Sequence, residues 1–206
     1  LLERALALAT GAGLPAAVAR AQTYRGELFE AQRRFDDALV AYEAAIEAVE
    51  AQRRQTPDGD AARQMFLAWR LAPYLGVAGI HAQQGRGLDA LAAVERARAR
   101  TLIDIVSAGG PAARSRTTAQ GMPQLTAGQL SSLLRPGTAI AAFIIEPTRS
   151  WVYLIKGGAQ GPDVQAHRLP IESTALSTLA ARVADGIAAR DLGFAASARE
   201  LYGLLF

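Results

Sequence analysis

The chain contains no cysteine. Disulfides, thiolate-bound metals and a cysteine nucleophile are thereby excluded from these 206 residues. Lysine is nearly absent too: among 22 basic residues only Lys156 is lysine, and the rest are arginine. Histidine occurs twice, at His81 and His167, widely separated in sequence. Neither a metal site of clustered ligands nor a Ser-His-acid triad has its parts at hand, and no nucleophile-elbow motif occurs. No stretch approaches the ~20 uninterrupted apolar residues of a membrane helix. The opening LLERALALAT lacks the basic region, apolar core and cleavage site of a signal peptide. We therefore expect no membrane association, and the reducing cytoplasm suits a cysteine-free chain.

What is present is apolar and arginine-rich. Hydrophobic residues make up 50% of the chain, enough to build a real core. The net charge of +3 would suit nucleic acid only if the arginines gathered on one face with aromatics to stack bases. They are instead interleaved with Glu and Asp along helical stretches, as on solvated faces. A coding bias toward arginine and alanine explains the composition, and no nucleic-acid partner is expected. The chain opens in mid-pattern without Met and closes inside LYGLLF, so we read both ends as interior to a longer protein.

Residues 1–106 carry helical periodicity. Leu88 to Val106 reads as one long helix, with Leu91, Val94, Ala97, Leu102 and Ile105 on its apolar stripe and Arg96, Arg98 and Arg100 largely off it. An internal repeat precedes and includes it. Gly26, Phe29, Ala38, Tyr42 and Ala45 fall at the tetratricopeptide positions for a small residue and an aromatic on a first helix, then Ala, aromatic and Ala on a second. Tyr74, Ala78, His81, Ala90, Val94 and Ala97 repeat that register more weakly. Gly26 and Ala38 allow close helix approach, and Tyr42 fills the gap between repeats. Arg33 to Asp36 supplies the turn, with Asp36 or Asp37 placed to cap the second helix. The copies are spaced wider than ~34 residues because Gln55 to Asp60 reads as a loop, running into a helix from Ala61 to Leu71 with Met65, Phe66 and Trp69 as core residues. Leu1 to Ala9 resembles the second helix of a preceding repeat, with Pro15 opening the next helix. His81 takes a packing position, so we read it as structural. Gly11-Ala12-Gly13 follows no strand and is not a dinucleotide fingerprint.

Residues 107–125 are Gly, Ala, Ser, Thr and Pro without periodicity and read as a flexible linker. From residue 126 to 206 the pattern is mixed. Thr126 can cap a short helix bearing Leu130, Leu133 and Leu134. Thr138 to Glu146, Trp151 to Lys156 and Asp163 to Leu169 read as three strands of an antiparallel meander. The first two lack clean alternation and should be covered on both faces, while the third, more polar, should be an edge. We expect the cover for the Val152/Leu154 face to lie outside this stretch. Ile171 to Arg190 is an amphipathic helix that Ser173 or Thr174 could cap, and another begins at Phe194. His167, on the polar strand, should be exposed, and Glu146 should be a solvated turn carboxylate.

Taken in order, degenerate tetratricopeptide repeats run into ERARARTLIDIV (Glu95 to Val106), then a linker, LLRPGTAIAAFIIEPTRSWVYLIKGG (Leu133 to Gly158), HRLP (His167 to Pro170), a helix and ARELYGLLF (Ala198 to Phe206). This succession resembles the start of CHAT-domain proteins, caspase- and separase-like cysteine peptidases that follow such repeats. The opening hairpin, with Pro136, Gly137, Thr138, Phe143, Trp151 and Tyr153, carries most of the likeness. The resemblance implies helical repeats followed by an incomplete α/β, caspase-like CHAT domain that begins with an antiparallel β-meander. It implies a parent cysteine peptidase whose repeats hold a protein or peptide partner and whose catalytic His and Cys lie beyond Phe206. Neither His81 nor His167 matches the family's catalytic histidine, so the resemblance transfers no catalytic, cofactor or metal residue, and this chain by itself is expected to be inactive. The alternative is a non-catalytic interaction adaptor.

Overall fold

The structure is a computed structural model that describes residues 1–55, 67–107, 126–134, 137–145, 150–158 and 161–205. It divides into two units, Leu1–Thr126 and Ala127–Phe206. The described residues form eight helices and three strands. The loop expected at residues 56–60, Met65, Phe66, the linker at 108–125 and Glu146 lie outside the described residues.

The first unit holds α1 (Leu2–Gly11), α2 (Pro15–Ala31), α3 (Phe35–Gln55), α4 (Leu67–Gln83) and α5 (Gly87–Ser107). Three-residue turns join α1 to α2, α2 to α3 and α4 to α5, and all three use one backbone device. The residue two before the new helix takes positive φ, at Gly13, Arg33 and Gly85. The next amide then reaches back to close the old helix: Leu14 to Ala9, Arg34 to Phe29 and Arg86 to His81, at 2.9–3.0 Å. At Arg33 a side chain sits in a conformation that glycine fills elsewhere, at a cost of about 1 kcal/mol. As expected, Pro15 opens α2, where its missing N–H costs nothing. Asp37 does not serve as a helix cap: its carboxylate takes the Arg34 guanidinium at 2.8 Å.

Packing follows the small and aromatic positions picked out in the sequence. Helix α2 lies on α3 and α4 on α5, α3 bridges to α4, and α2 also meets α4. Ala38, Tyr42, Ala45, Tyr74, Ala78, Ala90, Val94 and Ala97 are all buried, as the register required. Ala38, Tyr42, Ile46, Tyr74, Val77, Ile80 and Ala97 form one core cluster, with Phe29, Phe35, Leu39, Leu71 and Ala93 packed around it. Trp69, half-buried, packs instead against Ala19, Ala48 and Val49. The long helix carrying Leu91, Val94 and Ala97 is α5, with Arg98 exposed on its far side.

At the centre Tyr42 is wedged between two glycines. A methyl group added to Gly26 of α2 would stand 2.6 Å from the ring, and one added to Gly76 of α4 only 2.5 Å from it. The ring is thus the spacer of three helices, and neither neighbouring backbone leaves room for it to retreat.

The second unit begins with α6 (Ala127–Leu133) and continues as β1 (Ala139–Ile145), β2 (Ser150–Gly158) and β3 (Gly161–Leu169). Helices α7 (Ser173–Ala188) and α8 (Phe194–Leu205) close it. The strands form an antiparallel meander in the order β1-β2-β3, with Phe143 opposite Val152 and Val152 opposite His167. The central strand is covered on both faces, as expected. On one face lie Trp151, Tyr153 and Ile155, all buried, with α6 packed on β3 and Leu134 close to Gly157 on that side.

Three expectations are corrected. The Val152/Leu154 face does not await a cover from elsewhere: Leu176 of α7 is buried with Val152 and Leu169, and Leu201 and Leu205 of α8 pack on the same cluster. The apolar stripes of α7 and α8 are that cover. Strand β1 is not covered on both faces along its length either: Ala139, Ile140 and Ala141, which alternate between the faces, are exposed, and the strand lies at an edge of the described sheet. Finally, α7 begins at Ser173 with Glu172 before it, and no side-chain bond caps it.

The Tyr42 wedge yields a test with an inverted sign. In a helix interior Gly→Ala ordinarily stabilises, by up to ~1 kcal/mol. Gly26→Ala and Gly76→Ala should each instead destabilise the helical unit by about 1–3 kcal/mol, the cost of overpacking. Because both act on one ring, the double variant should depart from additivity. Urea unfolding followed by circular dichroism measures all three.

Candidate functional site

Two buried tyrosines anchor a polar network along the helical unit. A buried phenol must find an acceptor. The Tyr42 hydroxyl donates to Glu30 Oε2 at 3.0 Å, and Gln83 Nε2 of α4 donates to the other oxygen, Oε1, also at 3.0 Å. Glu30 is therefore held from two helices besides its own. On the next helix, α4, the Tyr74 hydroxyl donates to Glu50 Oε1 at 2.8 Å. Burial, and then the Glu50 charge, push the Tyr74 phenol well above the ordinary tyrosine range. Arg96 of α5 lies 5.3 Å from the Tyr74 ring centroid and 3.4 Å from Glu43 of α3.

Beside this network a shallow depression of about 350 Å³ opens, lined by Glu27, Glu30, Ala31, Arg33, Phe35 and Gln83. Helix α2, its turn, the start of α3 and the end of α4 all contribute. Its carboxylates, guanidinium and amide offer hydrogen bonds of both kinds beside the apolar Ala31 and Phe35. Nearby, Phe29 carries Arg34 at 4.4 Å and Arg25 at 5.4 Å from its ring centroid.

The two histidines lie in different units. His167 is exposed on β3. His81 is half-buried in α4, and its Nδ1 is enclosed without a hydrogen-bond partner. Burial holds its pKa below the ordinary histidine value, and Arg86 lowers it further against the opposing pull of Asp89 and Glu43. Among the described residues no three His, Asp or Glu side chains gather as metal ligands, and no helix is long and apolar enough to cross a membrane. Sequence reading located both tyrosine positions but not their acceptors, Glu30 and Glu50. Asking which carboxylate could reach each buried hydroxyl would have narrowed the search.

No protein-family model, curated protein or solved structure matches the chain.

The His81 environment gives a pH dependence of known sign. Its folded pKa lies below the unfolded value of about 6.5. The unfolded chain thus takes up the proton first, and stability falls as pH drops through that value toward the folded pKa. Denaturant midpoints should fall between pH 7.5 and 5.5, and His81→Gln should flatten that decline.

Proposed function

We propose that this chain is the amino-terminal part of a tetratricopeptide–CHAT protein, in which the helical unit holds a protein or peptide partner and the mixed unit opens a caspase-like cysteine peptidase domain. One observation carries most of this reading. Helix pairs whose Gly, Ala and Tyr positions make the inter-helix contacts precede, in one chain, a hairpin pairing Phe143 with Val152 and Ile144 with Trp151. The depression beside Glu30 is the place for the partner, because two successive helix pairs line it. The reading assigns the catalytic His and Cys to sequence beyond Phe206. These 206 residues have no thiol, and a Cys–His dyad needs a thiolate beside an imidazole.

A second reading, a non-catalytic adaptor, draws on the same absence of thiol within the chain. The two part on an experiment. The coding sequence past Phe206 is read and the encoded protein expressed beside the 206-residue chain. Under the first reading the longer protein carries a His and then a Cys among strand-like runs. It cleaves peptide substrates in a reaction that iodoacetamide and Cys→Ser both abolish, while the shorter chain is inert. Peptide hydrolysis by the 206 residues alone, or a longer protein without that pair, would overturn it.

A further inference from the structure

Two turns of the helical unit are built alike and differ in one ring. In the α2–α3 turn the amides of Gln32, Arg33 and Arg34 donate to the carbonyls of Leu28, Glu30 and Phe29. In the α4–α5 turn those of Gln84, Gly85 and Arg86 donate in the same order to Ile80, Ala82 and His81. His81 therefore stands where Phe29 stands, its carbonyl accepting the bond that closes the helix. Arg34 lies over the Phe29 ring at 4.4 Å, and Arg86 holds the corresponding place in the chain after His81. A phenyl ring keeps one charge state at every pH, whereas an imidazole changes its charge near neutrality. The His81 ring is half-buried, and its enclosed Nδ1 has no hydrogen-bond partner. A neutral ring can leave that nitrogen without a proton, but an imidazolium carries N–H on both. The second N–H would then be enclosed with nothing to accept it.

We propose that the α4–α5 turn is a pH-sensitive latch: protonation of His81 frays the last turn of α4, and Gln83, on that same turn, lets go of Glu30. Helix ends are where local opening costs least. The charges that act on the ring are Arg86 in the turn, which opposes protonation, and Asp89 of α5 and Glu43 of α3, which favour it; burial tips the balance against the charged form. In an opened turn the ring meets water, and its pKa returns to about 6.5. The opened form thus takes up the proton first, and acid favours opening. Opening reaches the depression because Gln83 Nε2 donates to Glu30 Oε1 at 3.0 Å and both residues line it. Tyr42 keeps its bond to the other oxygen, so α2 and α3 stay joined while the α4 wall comes free. Only the consequence for a partner rests on the reading of that depression as a binding place; the latch rests on the turn.

The test is amide hydrogen exchange of the 206-residue chain, followed by NMR between pH 7.5 and 5.5, with each rate taken relative to its intrinsic rate at that pH. Protection at Gln84, Gly85 and Arg86 should fall by up to about tenfold, the protonated-to-neutral ratio of a free imidazole at the lower pH. The Gln83 side-chain amide resonance should move toward its free position over the same range. Gln32, Arg33 and Arg34, in the turn with Phe29, should keep their protection and serve as a control within the same molecule. His81→Phe should make the second turn behave as the first. Equal loss at both turns would overturn the latch, since it would report opening of the whole unit. So would constant protection at Gln84 to Arg86, or a decline that persists in His81→Phe. A turn that loosens while the Gln83 amide stays put would overturn the link to the depression. Comparison of the two turns in the unaltered chain decides between these outcomes even where the variant does not fold. Failure of the latch would leave the partner reading standing, because no outcome here measures partner binding.

Discussion

The helical unit depends on the room left for one aromatic ring. Tyr42 stands between the backbones of α2 and α4 at distances that admit glycine on both sides and no other residue. Its hydroxyl meets Glu30, which Gln83 of α4 also holds. Apolar contact and polar bond thus fix the same three helices. Burying the ring supplies about 1.5–3 kcal/mol of hydrophobic stabilisation, and the hydroxyl's bond makes that burial permissible rather than adding much to it. The small residues are therefore not a neutral background. They set how near α2 and α4 approach, and so the shape of the depression between α2, α3 and α4.

The same logic explains why Tyr74 has its own carboxylate. Glu50 accepts its hydroxyl, and Arg96 balances the acidic residues of α3 through Glu43. Each helix pair carries an aromatic plug and an acidic partner taken from the helix before it, Glu50 from α3 for Tyr74 of α4 and Glu30 from α2 for Tyr42 of α3. Contacts of this kind run from neighbour to neighbour, as in stacked helical repeats. A strain introduced at Gly76 would be felt on α2 and α3 before it reached α1.

Much of this was legible in sequence because periodicity reports burial. The stripe through Leu91, Val94 and Ala97 marked α5 to within a residue at each end, and the change of period after residue 137 marked the meander. Other features were hidden for physical reasons. An amphipathic stripe shows that α7 and α8 bury a face but not against what. The cover of Val152 and Leu154 was therefore sought elsewhere, although Leu176, Leu201 and Leu205 supply it. An apolar run shows that β1 can bury two faces but not that it sits at an edge, since strand order is a property of the whole sheet. Hydrogen-bond acceptors such as Glu30 and Glu50 are harder still, because a surface glutamate and an anchoring one look alike until the backbone brings the tyrosine near. Ser173 is not the cap because the helix begins at it rather than after it, and Asp37 has its carboxylate taken by Arg34.

The two histidines sit in surroundings of different kinds, neither of which suits pairing with a thiolate. An imidazole paired with a thiolate works best where its charged form is favoured and its ring is held by a third group. His81 has the opposite surroundings, since burial and Arg86 both disfavour its charge and its Nδ1 bonds to nothing. His167 lies on an exposed, charge-guarded strand edge with no group shown to orient it. One histidine is placed to pack and the other to keep an edge soluble. What the two units do supply is geometry: packed helix pairs beside a depression lined by both polar and apolar side chains, and an antiparallel meander whose central strand is buried on both faces.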